Sequence, residues 1–283
     1  MSGPWSEKHG RWPWSRDVLA DGLQKFNDLG AQAVLFNVLF SDPDKNNPDA
    51  DAAMDVTAQM NRATAFPLIR LNPKNDNQSL LKVTQIPGAE LKKEHVAEST
   101  IAVILPMFGS MHDRLGVANQ KPDADGIVRK YPLRWEESTF FLPSMVQRTA
   151  ELAGADLTQE PNQMSLNWRN KQGRYNRISF SDVLLDNIKP EQTSVFKNAF
   201  VVLSLSAPGL GQTKPTSVMS VEDDGEILAT ALDDALHSSY LRTMPNVVAF
   251  LINLLTIWTL VWMSLKQKTG GFMNKAFVLV QSG

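Results

Sequence analysis

The sequence predicts an α/β fold, a mixed β-sheet flanked by helices in one domain, followed by a transmembrane helix. Three observations carry this expectation. Residues 246–265 hold no charged side chain, and at about 1.5 Å of rise each, such a run crosses the roughly 30 Å hydrocarbon core of a bilayer. Upstream, amphipathic helix patterns alternate with short apolar runs bounded by turn residues, as in α/β units. No internal repeat or low-complexity linker interrupts residues 1–244, so they read as one compact domain.

The first helix follows "GRWPWSRD". Val18, Leu19, Leu23 and Phe26 share a face, Ser15 suits the N-cap and Asp17 the first turn. Gly30 can take the positive φ that ends the helix. "AQAVLFNVLF" at 31–40 then reads as a buried strand. "SDPDKNNPDAD" is a loop, a helix is expected over about 49–61, and "ATAFPLI" is the next strand. Residues 72–99, with Pro73 and Pro87, read as a loop or a partly helical insertion. "TIAVILP" is a further strand.

"LGVANQKPDADGIVRKYPLRWEE" predicts two strands around an Asp125–Gly126 turn. "LPSMVQRTAELAGA" predicts a helix starting at Pro143 or Ser144 and ending at Gly154. "MSLNWRN" is a short strand, and "SFSDVLL" opens a helix capped by Ser179 or Ser181. "AFVVLSLSAPGLG" is expected to be a central strand followed by a Gly-rich loop. A last helix over about 225–239 places Ile227, Leu228, Ala231, Leu232 and Leu236 on one face.

The flanks of the apolar run set its expected orientation. Lys266 and Lys268 follow it, whereas Asp233 and Asp234 lie ahead of it with Arg242. A Lys/Arg excess marks the cytoplasmic side, so residues 1–244 are expected outside, 245–265 in the membrane and 266–275 in a short cytoplasmic loop. Residues 276–283 read as the start of a second, truncated membrane helix. "MSGPWSEKHGRWPW" shows no basic region followed by an apolar stretch, and the chain is therefore expected to be a fragment of a longer membrane protein.

Composition excludes several functions. Lys and Arg number 28 against 30 Asp and Glu, with no basic stripe, so no nucleic-acid partner is expected. With no cysteine there is no disulfide and no thiolate chemistry, which suits an oxidising bacterial exterior. "APGLGQTKPT" follows a strand but lacks phosphate-loop spacing, and Pro208 and Pro215 each remove an N–H. Asp42, Asp44 and Asn46 begin a calcium-loop pattern, yet Asn47 stands where the turn wants Gly and Ala53 where a bidentate Glu belongs. His9, His95, His112 and His237 show no zinc spacing, and "FGSMH" is not a nucleophile elbow. No cofactor, metal or catalytic residue is expected. "RWPW" makes a rigid apolar platform, suited to line a pocket or to pack as a lid over the core.

Read together, "GRWPWSRDVLADGLQKFNDLGAQAVLFNVLFSDPD" at 10–44, "GVANQKPDADGIVRKYPL" at 116–133, "LPSMVQRTAELAG" at 142–154 and "FKNAFVVLSLSAPGLGQTKPT" at 196–216 resemble, in order, the type-two CHASE domain (cyclases/histidine kinases associated sensory extracellular). The resemblance covers roughly residues 8–245. It implies an extracytoplasmic sensory domain of a bacterial receptor in the inner membrane, with an upstream membrane helix and first strand preceding Met1. It further implies a cytoplasmic nucleotide cyclase, diguanylate cyclase or kinase output after Gly283, and a homodimer, since such outputs work as pairs. The ligand would be a small molecule or an envelope component. The chain departs from the family pattern at Asn37, where Asp is common, at Arg169–Asn170, where Arg-Gly is common, and at Leu228, where His is usual. If those positions contact ligand in relatives, the site here is altered or lost.

The expected ligand-binding residues are Trp12, Trp14, Arg16, Asp42, Asp44, Asp125 and Arg129, which fall at element ends, where α/β folds place their sites. Gly225–Ser239 is the element expected to couple the domain to the membrane. The alternatives are a membrane-tethered extracytoplasmic hydrolase, which needs an acid/base or nucleophilic cluster in a cleft, and a structural envelope domain, which needs a large exposed apolar patch.

Overall fold

The computed structural model describes residues 12–92, 98–168, 175–206, 213–242 and 244–266. It divides into a first unit ending at Leu241 and a second unit beginning at Arg242.

In the first unit, α1 (Arg16–Asp28) buries Leu19, Ala20, Leu23 and Phe26, the stripe set by its apolar spacing. Ser15 occupies the N-cap, but its hydroxyl accepts from Asn47 Nδ2 at 3.0 Å instead of capping the helix. Gly30 follows with φ of 85°. Next come β1 (Ala33–Phe36), α2 (Pro48–Met60) and β2 (Thr64–Arg70). α2 starts where the sequence suggests, with the Asn47 side chain accepting from Ala50 N and Pro48 in the first turn. Two 3₁₀ turns, Pro73–Gln78 and Val83–Gln85, lead to β3 (Glu90–Leu91) and β4 (Val103–Ile104). A third, Gly109–Arg114, precedes β5 (Leu115–Val117), β6 (Lys130–Pro132), β7 (Arg134–Glu136) and β8 (Phe140–Pro143). Then follow α3 (Met145–Leu152), β9 (Gln163–Ser165), α4 (Phe180–Leu184), α5 (Pro190–Phe196), β10 (Phe200–Leu203), β11 (Thr213–Lys214), β12 (Glu222–Asp223) and α6 (Asp224–His237). The second unit contains α7 (Asn246–Lys266), whose residues Val247–Leu265 are long and apolar enough to cross a membrane.

The main sheet runs β10-β1-β2-β4, with β5 also on β2. β10, β1, β2 and β5 are parallel, whereas β4 is antiparallel. The far edge of β2 is shared: Phe66–Leu68 pair with β5, and Ile69–Arg70 with β4. Smaller antiparallel sheets, β3-β8-β7, β6-β9 and β11-β12, surround it.

Successive residues of a strand point to opposite faces, and β1 uses both. Val34 and Phe36 enter one core with Leu19, Leu23, Phe26, Met54 and Phe66. Leu35 enters a second core with Met145, Val146, Ile227, Ala231 and Leu232. Helices thus cover both faces of a mixed sheet, the α/β architecture the alternating pattern predicts.

Two expectations are corrected. The strand expected to be central is an edge: β10 pairs only with β1 among the described residues, and its four residues are all half-buried. An apolar run is equally compatible with an edge strand whose two faces are covered, so composition could not place it. The Asp125–Gly126 turn forms, with Gly126 N donating to Asp123 O at 2.8 Å and Gly126 at φ 82°. Its flanks do not pair as a hairpin, however. β5 joins the main sheet, β6 pairs with β9, and Val128 bridges to Thr216. The turn chemistry was sound; the partners come from distant chain. Arg169–Asn170, Ala207–Gln212 of the Gly-rich loop, His9, His95 and residues 267–283 lie outside the described residues.

Candidate functional site

The carboxyl ends of the parallel strands gather polar side chains. Asn37 follows β1, and its N–H donates to the Leu203 carbonyl at 2.9 Å, which sets the ends of β1 and β10 side by side. From β1 the chain crosses to β2, while β10 lies on the other side. The sequence order reverses there, and open α/β sheets place ligands at such a point. At the end of β2, the Asn119 carboxamide accepts from Arg70 N at 2.6 Å and donates to Arg70 O at 3.0 Å. Gln120 follows. It donates to Asp224 Oδ1 at 3.1 Å and accepts from Lys214 Nζ at 2.9 Å, and Lys214 lies 3.3 Å from the same carboxylate. A loop after β5, strand β11 and the first turn of α6 are thereby tied together.

Beside this cluster a cleft of about 480 Å³ runs along β10. Ala199 to Ser204 all line it. Since consecutive residues of a strand alternate faces, the cleft follows the strand's outer edge. Its apolar wall comes from Phe26, Ile178, Phe180, Val183, Val195 and Phe196, and its other side from Asp223, Gly225, Glu226 and Ala229 of the β12–α6 junction. Ser204 Oγ is buried there with no hydrogen-bond partner among the described residues. Gly225 sits close against both walls: a Cβ there would come 3.1 Å from Ser204 Cβ and 3.0 Å from Asp223 Oδ1.

Among the described residues the rim gathers three carboxylates around Arg177. Arg177 Nη1 bonds Asp223 Oδ2 at 2.8 Å and Nη2 bonds Glu226 Oε2 at 2.8 Å, with Glu222 Oε1 at 3.9 Å. The Glu226 hydrogen bond chiefly, then that to Asp223, raises the Arg177 pKa despite partial burial. The Glu222 carboxyl is pushed up by burial, then by the charges of Glu226 and Asp223. Asp223 also caps α6, its Oδ1 accepting from Glu226 N at 3.0 Å. Three carboxylates facing one guanidinium favour an additional positive group at this rim.

The residues nominated from sequence fall into two groups. Trp12 and Trp14 are half-buried, edge to face at 5.5 Å, and pack on the first core. Trp14 stacks on Phe180 at 5.7 Å, so it supports the cleft's apolar wall from behind. Arg16 pairs with Asp51 and donates to the Asp42 carbonyl, with its guanidinium 5.6 Å from the Phe40 and Phe108 ring centroids. Asp44 joins the same knot through its N–H, which donates to Asp51 Oδ2 at 2.9 Å. Its carboxylate accepts from Asn46 N and Asn47 N at 3.0 and 3.1 Å, while the Asp42 carboxylate accepts from Ser41 at 2.7 Å. These aspartates serve local turns and do not converge on a common point. Asp125 and Arg129 form a second group on the turn before β6, joined at 2.7 and 3.0 Å, with Asp123 at 2.9 Å from the same guanidinium.

Sequence reasoning missed Arg177, Ser204, Gln120 and Lys214. Asp223-x-x-Glu226 could have been read as a helix-start signature, but Arg177 stands in an unpatterned segment and meets its acids only through the fold. Leu228, one of the departures from the family pattern, is buried in the second core.

Comparison with known proteins agrees with the resemblance. No curated protein and no solved structure matches the chain. A family model described as CHASE2 domain matches residues 5–266.

Proposed function

This chain belongs to the CHASE2 domain family of extracytoplasmic, non-catalytic sensory domains of signalling receptors, and from that premise we propose that residues 1–244 receive a signal outside a bacterial inner membrane and relay it through α7. The signal is a small molecule or an envelope component bound in the cleft between β10 and α6. The output is a cytoplasmic cyclase or kinase, and the receptor works as a homodimer.

One observation carries this reading. The cleft is lined on one side by the strand β10 and on the other by the first turns of α6, through Gly225, Glu226 and Ala229. An occupant therefore touches the sheet and the last outer helix at once. In sequence α6 ends at His237 and α7 opens at Asn246, leaving a short connection along which a change in α6 can be passed. A ligand shifts such an equilibrium only by binding its two states unequally. A contact shared between the sheet and the last helix of the domain is one that such a difference can act on.

The test is to fill the cleft from the helix side. Ala229→Trp, in a chimera carrying a kinase or cyclase after Lys266, is expected to change output while the outer domain keeps its melting temperature within a few degrees. Folded protein with unchanged output would remove the cleft as the receiving site. Single cysteines introduced into this cysteine-free chain at Ser41 should react with an impermeant maleimide from outside intact spheroplasts, and protection there would reverse the orientation.

A further inference from the structure

Within Val247–Leu265 the side chains are apolar apart from Asn253, Thr256, Thr259 and Ser264. Two of these are satisfied by their own helix. Thr256 Oγ1 donates to the Ile252 carbonyl at 2.8 Å, and Thr259 Oγ1 to the Thr256 carbonyl at 2.8 Å. Asn253 is different. It is the one carboxamide in the run, with two N–H donors and a carbonyl acceptor, and among the described residues its side chain bonds to none. It stands about 9 Å inside the start of the apolar run, at roughly 1.5 Å per residue, where hydrocarbon offers no hydrogen-bond partner.

Steps of three and four residues place Ala249, Thr256 and Leu260 on the same stripe as Asn253. Ala and Thr are small, which lets a second helix come close. The opposite face carries Leu251, Leu255, Trp258 and Trp262, the two indoles stacked at 6.4 Å, and is suited to lipid.

We propose that Asn253 and its stripe form a transmembrane interface with a second copy of α7. This rests on the reading that α7 crosses the membrane. The choice of a second copy follows from chemistry. A carboxamide is its own complement, donating one N–H to its twin and accepting another. Two copies of one receptor are inserted in the same direction, so a two-fold axis along the membrane normal brings both Asn253 side chains to the same depth. A neighbour of different sequence would need a matching polar group at that level.

The experiment uses the full chain in phosphatidylethanolamine–phosphatidylglycerol vesicles. Donor- and acceptor-labelled chains are mixed, and energy transfer is followed as lipid is added. The expected result is transfer above random proximity that Asn253→Leu weakens by about three- to tenfold in association constant, while Asn253→Gln, which keeps the carboxamide, retains it. Single cysteines at Ala249, Thr256 and Leu260 should cross-link on oxidation, and those at Leu251 and Leu255 should not. Equal transfer in Asn253→Leu, or cross-links without this periodicity, would overturn the interface and leave Asn253 to another helix or to none. Release of the chain by alkaline carbonate would overturn the membrane reading itself, and the interface with it.

Discussion

Arg70 and Asp76 face each other through two parallel hydrogen bonds, Nη1 to Oδ1 at 2.6 Å and Nη2 to Oδ2 at 2.7 Å. The pair fastens the 3₁₀ turn after β2 to the carboxyl end of the sheet. The Arg70 side chain is 2% exposed, and its Nε also bonds Glu137 at 2.9 Å. The guanidinium is therefore compensated on two sides, and Asp76 accepts a further bond from Ala102 N at 2.8 Å.

Removing Asp76 would leave Arg70 buried with half its compensation. Asp76→Ala is expected to cost about 2–3 kcal/mol, at or below the roughly 3–5 kcal/mol for breaking a fully buried pair, because Glu137 remains and the Asp76 side chain is part-exposed. Burial alone would raise the Asp76 pKa, but the Arg70 hydrogen bond and the Ala102 N–H outweigh it and hold the pKa below its ordinary value. Its contribution is thus present above that ordinary value and lost as pH falls through the depressed one. Urea unfolding at pH 7 and pH 3 should show the wild type and the variant converging at the lower pH.

Gly116 in β5 lies against the start of α3. A Cβ there would come 2.6 Å from Met145 Cα, Met145 N and Ser144 O, all backbone atoms that no rotamer change can clear. Gly116→Ala is expected to destabilise the outer domain by about 2 kcal/mol or more. Gly109→Ala, with nothing within 4 Å of the added carbon, serves as control in the same thermal melts.

Asp125 should titrate low. The Arg129 hydrogen bond first, then the Ile127 N–H, lower its pKa to about 2. Arg129→Met is expected to return it toward the ordinary value, read by carboxyl-carbon NMR. Since the wild-type value is depressed, stabilisation from this exposed pair exists above pH 4 and disappears as pH falls toward 2. An unchanged titration in the variant would show that the turn N–H alone sets it.

At the cleft rim the sign reverses. The raised Glu222 pKa means that stability is full below its ordinary value and declines as pH rises through the folded value. Arg177→Met removes the guanidinium bonded to Asp223 and Glu226. It should push Glu222 higher and make the melting temperature fall more steeply between pH 4 and 7 than in the wild type. Parallel pH profiles would exclude the coupling.

Much of the fold was legible from sequence for local reasons. α1 and α6 were marked by apolar spacing, and α3 by Ser144, whose side chain does cap its helix. Asn47 and Asp223, by contrast, cap α2 and α6 without having been read as caps, and Ser15 does not cap α1. Gly30 and Gly154, both at φ 85°, close their helices as expected. Strand order was not legible, because nothing in "AFVVLSL" distinguishes a central strand from an edge. The nominated aromatic and aspartate residues lie at element ends, yet Arg16, Asp42 and Asp44 are occupied with one another and with Asp51. The cleft is built by residues from five separate segments, so no window of sequence contains it.

The pairing of Ala33 with Phe200 and of Phe36 with Leu203 also sets an order of events for folding. β1 is made well before β10 and finds β2 across a short helical crossover, but its other side waits for a strand encoded more than 160 residues later. Closing so long a loop is entropically costly and slow. Until then the nascent β1 presents bare N–H and C=O groups to any passing extended chain. The protein's yield should therefore be limited by the time between synthesis of β1 and arrival of β10. Agents that shield exposed strands during that interval should raise the yield without altering the finished protein.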